Sequence, residues 1–334
     1  MRKRDSGVLM DQWIWISWEN HRRTRELCKE YKIRLFEKNI HLPRFIKHPY
    51  LLIWTSLIIV QWKPKGVIVQ NPSIILALWT ALLKQVIRYT FVVDAHNEGV
   101  RPFSRKLNWL RYIYRYIQNK ADITIVTNER LAKVVKRNGG NPFVLEDKLP
   151  VFNIVKRERL KGKYNIVCIS TFAEDEPYQE VIEAARFIKY DCVIYITGNY
   201  KRLSPDLINK IPSSVILTGY IPDDRYLSLL NSADIVLDLT DKDDCLVCGA
   251  YEGVALEKPL ILTDTITLKN YFYKGTVYTK NNQENITKAM SMAIENLERL
   301  SAEVKALKNE LNRRWMIKRN DLITCLDAAL TGKR

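Results

Sequence analysis

The feature that most limits how this chain can fold is an alternation. Short apolar runs rich in β-branched and aromatic residues take turns with stretches of helical period. In the first half, strand-like runs fall at residues 13–17, 66–70, 89–94 and 122–127, with helical patterns such as 74–87 and 104–119 between them. The series restarts with strand-like runs at 165–170, 193–197, 215–218, 235–239 and 259–263. Residues 178–188 carry Val181, Ala184, Ala185 and Ile188 at helical spacing, and 223–232 reads as a helix opened by Pro222 and capped by Asp223. Strand–helix alternation is the pattern of βαβ units on parallel sheets.

A chain of 334 residues exceeds one ordinary core, so two domains follow. The division expected is residues 1–150, a linker at 151–163 inside a charged stretch without either period, a second domain at 164–300, and C-terminal helices at 301–334 that pack back on the first domain. In such folds ligands bind beyond the carboxyl ends of the strands, which places the site in a cleft between two facing sheets.

Charge separates the halves. Residues 1–150 carry 27 Lys and Arg against 12 Asp and Glu, whereas 151–334 carry 26 against 25. The cationic half calls for an anionic partner such as a phosphorylated substrate or a lipid surface. Zinc-finger spacing, an RNA-recognition signature and a basic heptad region are all missing, so nucleic acid is not expected. Cys168 and Cys192 sit in apolar runs and are expected to be buried free thiols. Cys245 and Cys248 form a lone C-x-x-C without the second pair or the histidines that a zinc site needs, so no metal or other cofactor is expected. The cysteine usage and the lack of a secretory signal suit the cytoplasm. Residues 51–61 are apolar but too short to span a bilayer, and a buried amphipathic or core helix is expected there.

The most informative stretch is 241–264, DKDDCLVCGAYEGVALEKPLILTD. It follows the 235–239 run, enters a helix near Gly249 and reaches the next strand through Lys258-Pro259. Asp244 lies in the loop, and Glu252 lies eight residues on, about one turn into the helix. Two carboxylates so placed suit the separate diols of one extended ligand, and the helix N-terminus between them suits a diphosphate. Upstream, Thr197-Gly198-Asn199-Tyr200 and Thr218-Gly219-Tyr220 each follow a strand, and glycine permits close backbone approach.

These motifs resemble those of retaining GT-B glycosyltransferases, especially glycosyltransferase family 4, over roughly residues 165–275. The resemblance implies an α/β fold of two Rossmann-like domains and a nucleoside-diphosphate sugar donor. It implies that Asp244 contacts the donor sugar and Glu252 the ribose. The loops at Gly198, Asn199 and at Gly219, Tyr220 would lie beside phosphates and base, Gly249 would open the diphosphate-binding helix, and Lys201 or Arg202 would neutralise charge. Two departures stand out. Asp244 replaces the usual Glu, and the loop after the first strand of this half, 171–177 (TFAEDEP), is acidic where the family places a Lys or Arg.

In the first half, FVVDAHNEG at 91–99 ends a strand in a polar cluster. His96 is read as a catalytic contact to the transferred sugar, and Asp94 as a brace. Glu19, His21, Arg22, Arg23 and Glu98 are read as the acceptor side, with the two arginines suited to the phosphate of a lipid-linked acceptor. Arg105, Lys106, Trp109, Arg111 and Arg115 combine basic and aromatic groups suited to an anionic membrane surface. The resulting expectation is a hexosyltransferase, retaining by resemblance, acting on a lipid-linked or saccharide acceptor in cell-surface polysaccharide synthesis and peripheral at the inner face of the membrane. Alternatives are an inactive glycosyltransferase-like subunit, motivated by the acidic loop, a sugar-nucleotide epimerase of the same architecture, and a nucleic-acid-binding protein.

Overall fold

The computed structural model describes residues 10–71, 73–101, 109–152 and 156–332. The chain forms two compact units, one of Met1–Asp147 with Trp315–Arg334, the other of Lys148–Arg314.

The first unit is built on six parallel strands: β1 (Trp13–Ser17), β2 (Arg34–Glu37), β3 (Gly66–Asn71), β4 (Thr90–Ala95), β5 (Ile123–Val126) and β6 (Pro142–Val144). Their order is β2-β1-β3-β4-β5-β6, a doubly wound order that reverses direction at β1/β3. Every residue of β1 and β3 is buried, as a parallel sheet covered on both faces requires. The helices are α1 (Arg22–Tyr31), α2 (Arg44–Trp62), α3 (Ile74–Leu83), α4 (Asn97–Val100), α5 (Arg111–Lys120) and α6 (Glu129–Arg137). Only the last part of the helix expected at 104–119 is described, as α5. On one face α2, α3 and α5 pack on Val67, Val69, Phe91 and Val93. On the other, Leu27 and Tyr31 of α1 join Trp13 and Trp15.

Residues 51–61 depart from expectation. They lie in the longer α2, whose Leu51, Thr55, Ile58 and Ile59 are buried while Ile53, Leu57 and Val60 face outward. The apolar run was long enough to supply two faces, and the sheet takes only one.

The second unit repeats the architecture. Its strands are β7 (Tyr164–Cys168), β8 (Cys192–Thr197), β9 (Val215–Gly219), β10 (Ile235–Asp238), β11 (Leu260–Thr263) and β12 (Thr276–Thr279). All pair in parallel in the order β12-β11-β10-β7-β8-β9. This is the Rossmann order, with its reversal at β7/β10. The helices are α7 (Tyr178–Ala184), α8 (Pro205–Asn209), α9 (Asp223–Ser232), α10 (Cys248–Ala255), α11 (Ile266–Tyr271), α12 (Gln283–Glu295) and α13 (Leu297–Thr331). Asp223 is the first residue of α9; Pro222 holds the cap position, without a side-chain hydrogen bond. Cys168 and Cys192 are buried free thiols.

Helix α13 runs 35 residues and serves both units. Its Val304, Leu307 and Leu311 pack on Tyr271 and Phe272. From Trp315 onward it belongs to the first unit, where Trp315, Leu322 and Leu326 join the core of Trp13 and Trp15. The Trp315 indole donates to the Glu146 carbonyl at 3.2 Å, and Lys318 pairs with the Glu146 carboxylate at 2.6 Å.

Candidate functional site

In the second unit the loops that follow β7 and β10 meet where the strand order reverses. The Asp241 amide donates to the Asp175 carbonyl at 2.8 Å, the Thr240 hydroxyl to Asp175 Oδ2 at 3.1 Å, and Lys242 pairs with the same carboxylate at 3.2 Å. The Asn281 amide holds the Thr240 carbonyl and the Asp241 carboxylate from the far side. A crevice outside the strand ends at such a reversal is the usual ligand site of an open α/β sheet.

Asp244 is buried in the loop between β10 and α10, and Glu252 lies on the second turn of α10. The Tyr226 hydroxyl, from α9, donates to Glu252 Oε2 at 2.6 Å and fixes that carboxylate. Asp238, the last residue of β10, accepts the Gly249 amide at 2.8 Å. Burial pushes the Asp238 carboxyl up to about 8; the Gly249 amide pulls down, and the Glu176 and Glu252 charges push further up. A Cβ on Gly249 would stand 2.5 Å from Asp238 Oδ2 and 2.3 Å from Ile169 Cδ1, so glycine is what lets the helix start sit on this carboxyl. The turn leaving α10 places Glu257 at φ +58°, the left-handed conformation common at helix ends, and Lys258 closes it by donating its amide to the Gly253 carbonyl at 2.8 Å.

The neighbouring loops use glycine similarly. Gly198 has φ +100°, and a Cβ there would meet the Ser170 carbonyl oxygen at 2.2 Å, so the loops after β7 and β8 touch backbone to backbone. The Asn199 side chain caps the following turn by accepting the Lys201 amide. Lys201 is exposed, and the Arg202 side chain lies outside the described residues. Gly219 has φ +70°, and Tyr220 next to it is 84% exposed, unlike the other aromatic side chains of this loop set.

The acidic loop is arranged so that two of its three carboxylates are consumed internally. Glu176 turns back and accepts the Ser170 hydroxyl at 2.8 Å, the Thr171 amide at 2.7 Å, the Thr171 hydroxyl at 2.8 Å and the Ala173 amide at 3.2 Å. Asp175 is held by Thr240 and Lys242, leaving Glu174 exposed. Asp175 is thereby charge-paired with Lys242, and Glu176, still negative, is held against its own loop.

In the first unit a polar cluster forms at the carboxyl ends of β1 and β4. The rings of His21 and His96 lie 4.7 Å apart. Burial lowers the His96 imidazole below its ordinary range, against an upward pull from Asp94. Arg23 is an internal brace and not a surface cation. It is 5% exposed, contacts Asp94 at 3.3 Å, ion-pairs with Asp147, and donates to the Leu145 carbonyl at 2.9 Å. An acceptor phosphate is therefore not its partner. Burial alone would raise Asp147, but Arg23 and His96 hold it below the usual carboxylate range. Arg22 is exposed and pairs with Glu26 at 2.9 Å. Glu19 and Glu98 are exposed, and the Glu98 carbonyl accepts the Tyr114 hydroxyl at 2.9 Å.

Of the basic–aromatic group, Arg105 and Lys106 lie outside the described residues; Trp109, Arg111, Tyr112 and Arg115 are exposed, the last a turn further along α5. Three residues that shape the site were not singled out from sequence. Tyr226 had no signal beyond a hydroxyl on a half-buried helix. Asp238 is an acid closing an apolar run, a legible oddity. Glu176 shows in the sequence only as a charge.

No family model matches the sequence, and no curated protein matches it. Solved structures do. The Anabaena protein HepE in complex with UDP superposes with TM-score 0.72 at 10% identity, covering 95% of this chain and 99% of that one. A glycosyltransferase from Rickettsia africae gives TM-score 0.68 at 13% identity, over 97% and 94% of the two chains. A UDP-GlcNAc 2-epimerase from Methanocaldococcus jannaschii gives TM-score 0.55 at 15% identity, over 84% and 91%. The fold is GT-B, α/β with two six-stranded parallel sheets and flanking helices. Its structural neighbours include a glycosyltransferase, a sucrose-phosphate synthase, HepE in complex with UDP and glucose, and a UDP-GlcNAc 2-epimerase.

Proposed function

We propose that this chain is a glycosyltransferase that takes a nucleoside-diphosphate sugar in its second unit and transfers the sugar to an acceptor hydroxyl. The observation that carries the reading is the pairing of buried Asp244, before α10, with Glu252 inside it, the latter oriented by Tyr226 at 2.6 Å. A carboxylate on either side of a helix N-terminus suits a ligand with a diol at each end and a diphosphate between. That a structure of this fold, HepE, is complexed with UDP supports a nucleotide as ligand. In the reaction the bond from the sugar's anomeric carbon to the diphosphate oxygen breaks and one to the acceptor oxygen forms. The acceptor proton leaves with the diphosphate. Glu252 binds the ribose, Asp244 the sugar hydroxyls, and Lys201 balances part of the growing phosphate charge, the Gly249 amide of α10 being already given to Asp238.

The finer reading is a retaining transfer, of the family 4 type, to a lipid-linked acceptor in cell-surface polysaccharide synthesis, carried out at the inner face of a membrane. The internal saturation of Glu176 and Asp175 speaks for an active enzyme over an inactive subunit. A thermal-shift screen against UDP, GDP, ADP and CMP, followed by their sugars, tests the donor. Release of free nucleotide that requires an acceptor supports transfer. Inversion of the sugar at C2 by NMR, with no acceptor present, would instead make the protein an epimerase.

A further inference from the structure

Helix α2 is apolar on two opposite faces. Leu51, Thr55, Ile58 and Ile59 point into the sheet core. Ile46, Tyr50, Ile53, Leu57 and Val60 repeat at alternating four- and three-residue steps, so they form one outward stripe. Ile53 is 62% exposed and Leu57 61%. A helix with two apolar faces belongs in a protein interior or against lipid. Helix α3 extends the surface: the Trp79 indole donates to Ser56 at 2.9 Å, locking α3 to α2, and beyond it Val86 is 85% exposed.

The segment that carries this stripe is charged with one sign, its Lys84 being paired with Asp122 at 2.7 Å. Residues 38–93 contain seven Lys and Arg and not one Asp or Glu. Arg44 and Lys47 stand at one end of α2, Lys63 and Lys65 just past the other. Phe45, Tyr50 and Trp62 lie near the same ends, partly exposed, where aromatic rings favour the headgroup level. An apolar stripe with cations at both ends complements an anionic bilayer. No described helix is long and apolar enough to cross a membrane, so the geometry is that of a helix lying in the interface plane.

We propose that the outward stripe of α2 is the surface by which this protein docks on anionic lipid, with the Arg111 end of α5 as an accessory. The proposal rests on the peripheral-membrane part of the reading above and is independent of its donor chemistry. The test is flotation of the full chain with vesicles of phosphatidylcholine alone or mixed equally with phosphatidylglycerol. The wild type is expected to float with the anionic vesicles only, less so in high salt. Ile53→Glu and Leu57→Glu are each expected to weaken partition about tenfold, and Lys47→Ser about fivefold, with circular dichroism and UDP affinity unchanged. As a measure free of any folding defect, Leu57→Cys carrying an environment-sensitive fluorophore is expected to shift to the blue on anionic vesicles. Undiminished flotation of the two Glu variants, or a probe that does not respond, overturns the stripe. Loss of flotation in Arg111→Ser while the Glu variants still float overturns the stripe but keeps the membrane reading. No flotation by the wild type overturns both. A wild type that is dimeric without lipid, and monomeric as Leu57→Glu, assigns the stripe to a second copy and also overturns the proposal.

Discussion

The Tyr226 hydroxyl donates to Glu252 Oε2 at 2.6 Å, from one helix of the second unit to another. Burial, followed by the Glu252 charge, pushes the phenol well above its ordinary range, so it stays a donor throughout physiological pH. The carboxylate is thereby held in one orientation. Tyr226→Phe removes one hydrogen bond to a charged group and is expected to weaken UDP binding by about 1–2 kcal/mol, roughly five- to thirtyfold, with little change in Tm. Calorimetric titration of UDP checks this, and an unchanged affinity would remove Tyr226 from the site.

Gly249 has no room to grow. Its missing Cβ would lie within 2.5 Å of both the Asp238 carboxyl and the Ile169 side chain. Gly249→Ala is expected to cost about 1–3 kcal/mol of stability through overpacking and to move the amides at the start of α10. Urea denaturation reads the first effect and loss of UDP affinity the second. A variant as stable as the wild type, with full affinity, would mean that the helix start tolerates displacement.

The buried Asp238 carboxyl makes a prediction about pH. Its native value of about 8 stands above the ordinary 3.8. Between these values the folded protein holds a proton that the unfolded chain has released, so this group's contribution is full below about 4, falls as pH rises, and levels off above about 8. Asp238→Asn keeps an acceptor for the Gly249 amide but cannot ionise. The difference in stability between variant and wild type is expected to grow in the variant's favour from pH 5 to 8, with a slope on the order of 1 kcal/mol per pH unit. Parallel denaturation curves at each pH measure it, and a difference that does not vary with pH contradicts the assignment.

Arg23 carries the opposite risk. It is the guanidinium between Asp94 and Asp147, with Asp94 only 1% exposed. Arg23→Met strands buried negative charge and is expected to destabilise by about 3–5 kcal/mol. Adding Asp94→Asn should return part of that loss. A single variant with wild-type stability would mean that water already reaches this pair.

Much of the fold was legible because it rests on periodicity. The runs at 13–17 and 66–70 became β1 and β3, and the two series of strands became two parallel sheets. The Asp244–Glu252 spacing also placed itself, since a loop followed by Gly249 leaves little choice about where the helix begins. What sequence did not reveal depends on where side chains turn. Arg23 reads as a surface cation next to Arg22, and only tertiary packing aims it inward at Asp94. Glu176 reads as a repulsive charge, yet it folds back on four donors of its own loop. The run at 51–61 gave a helix but not its two faces, because apolar residues all round carry no sign of which side the sheet will take.

The central claim is that Asp244 and Glu252 hold different ends of one activated sugar, and a pair of alanine variants tests it most directly. Glu252→Ala is expected to lower UDP affinity at least about tenfold, while Asp244→Ala keeps UDP affinity within about twofold and lowers turnover by on the order of a hundredfold. Calorimetry with UDP, beside initial rates with the sugar nucleotide found by screening, reads both. Wild-type UDP affinity in Glu252→Ala would contradict the account.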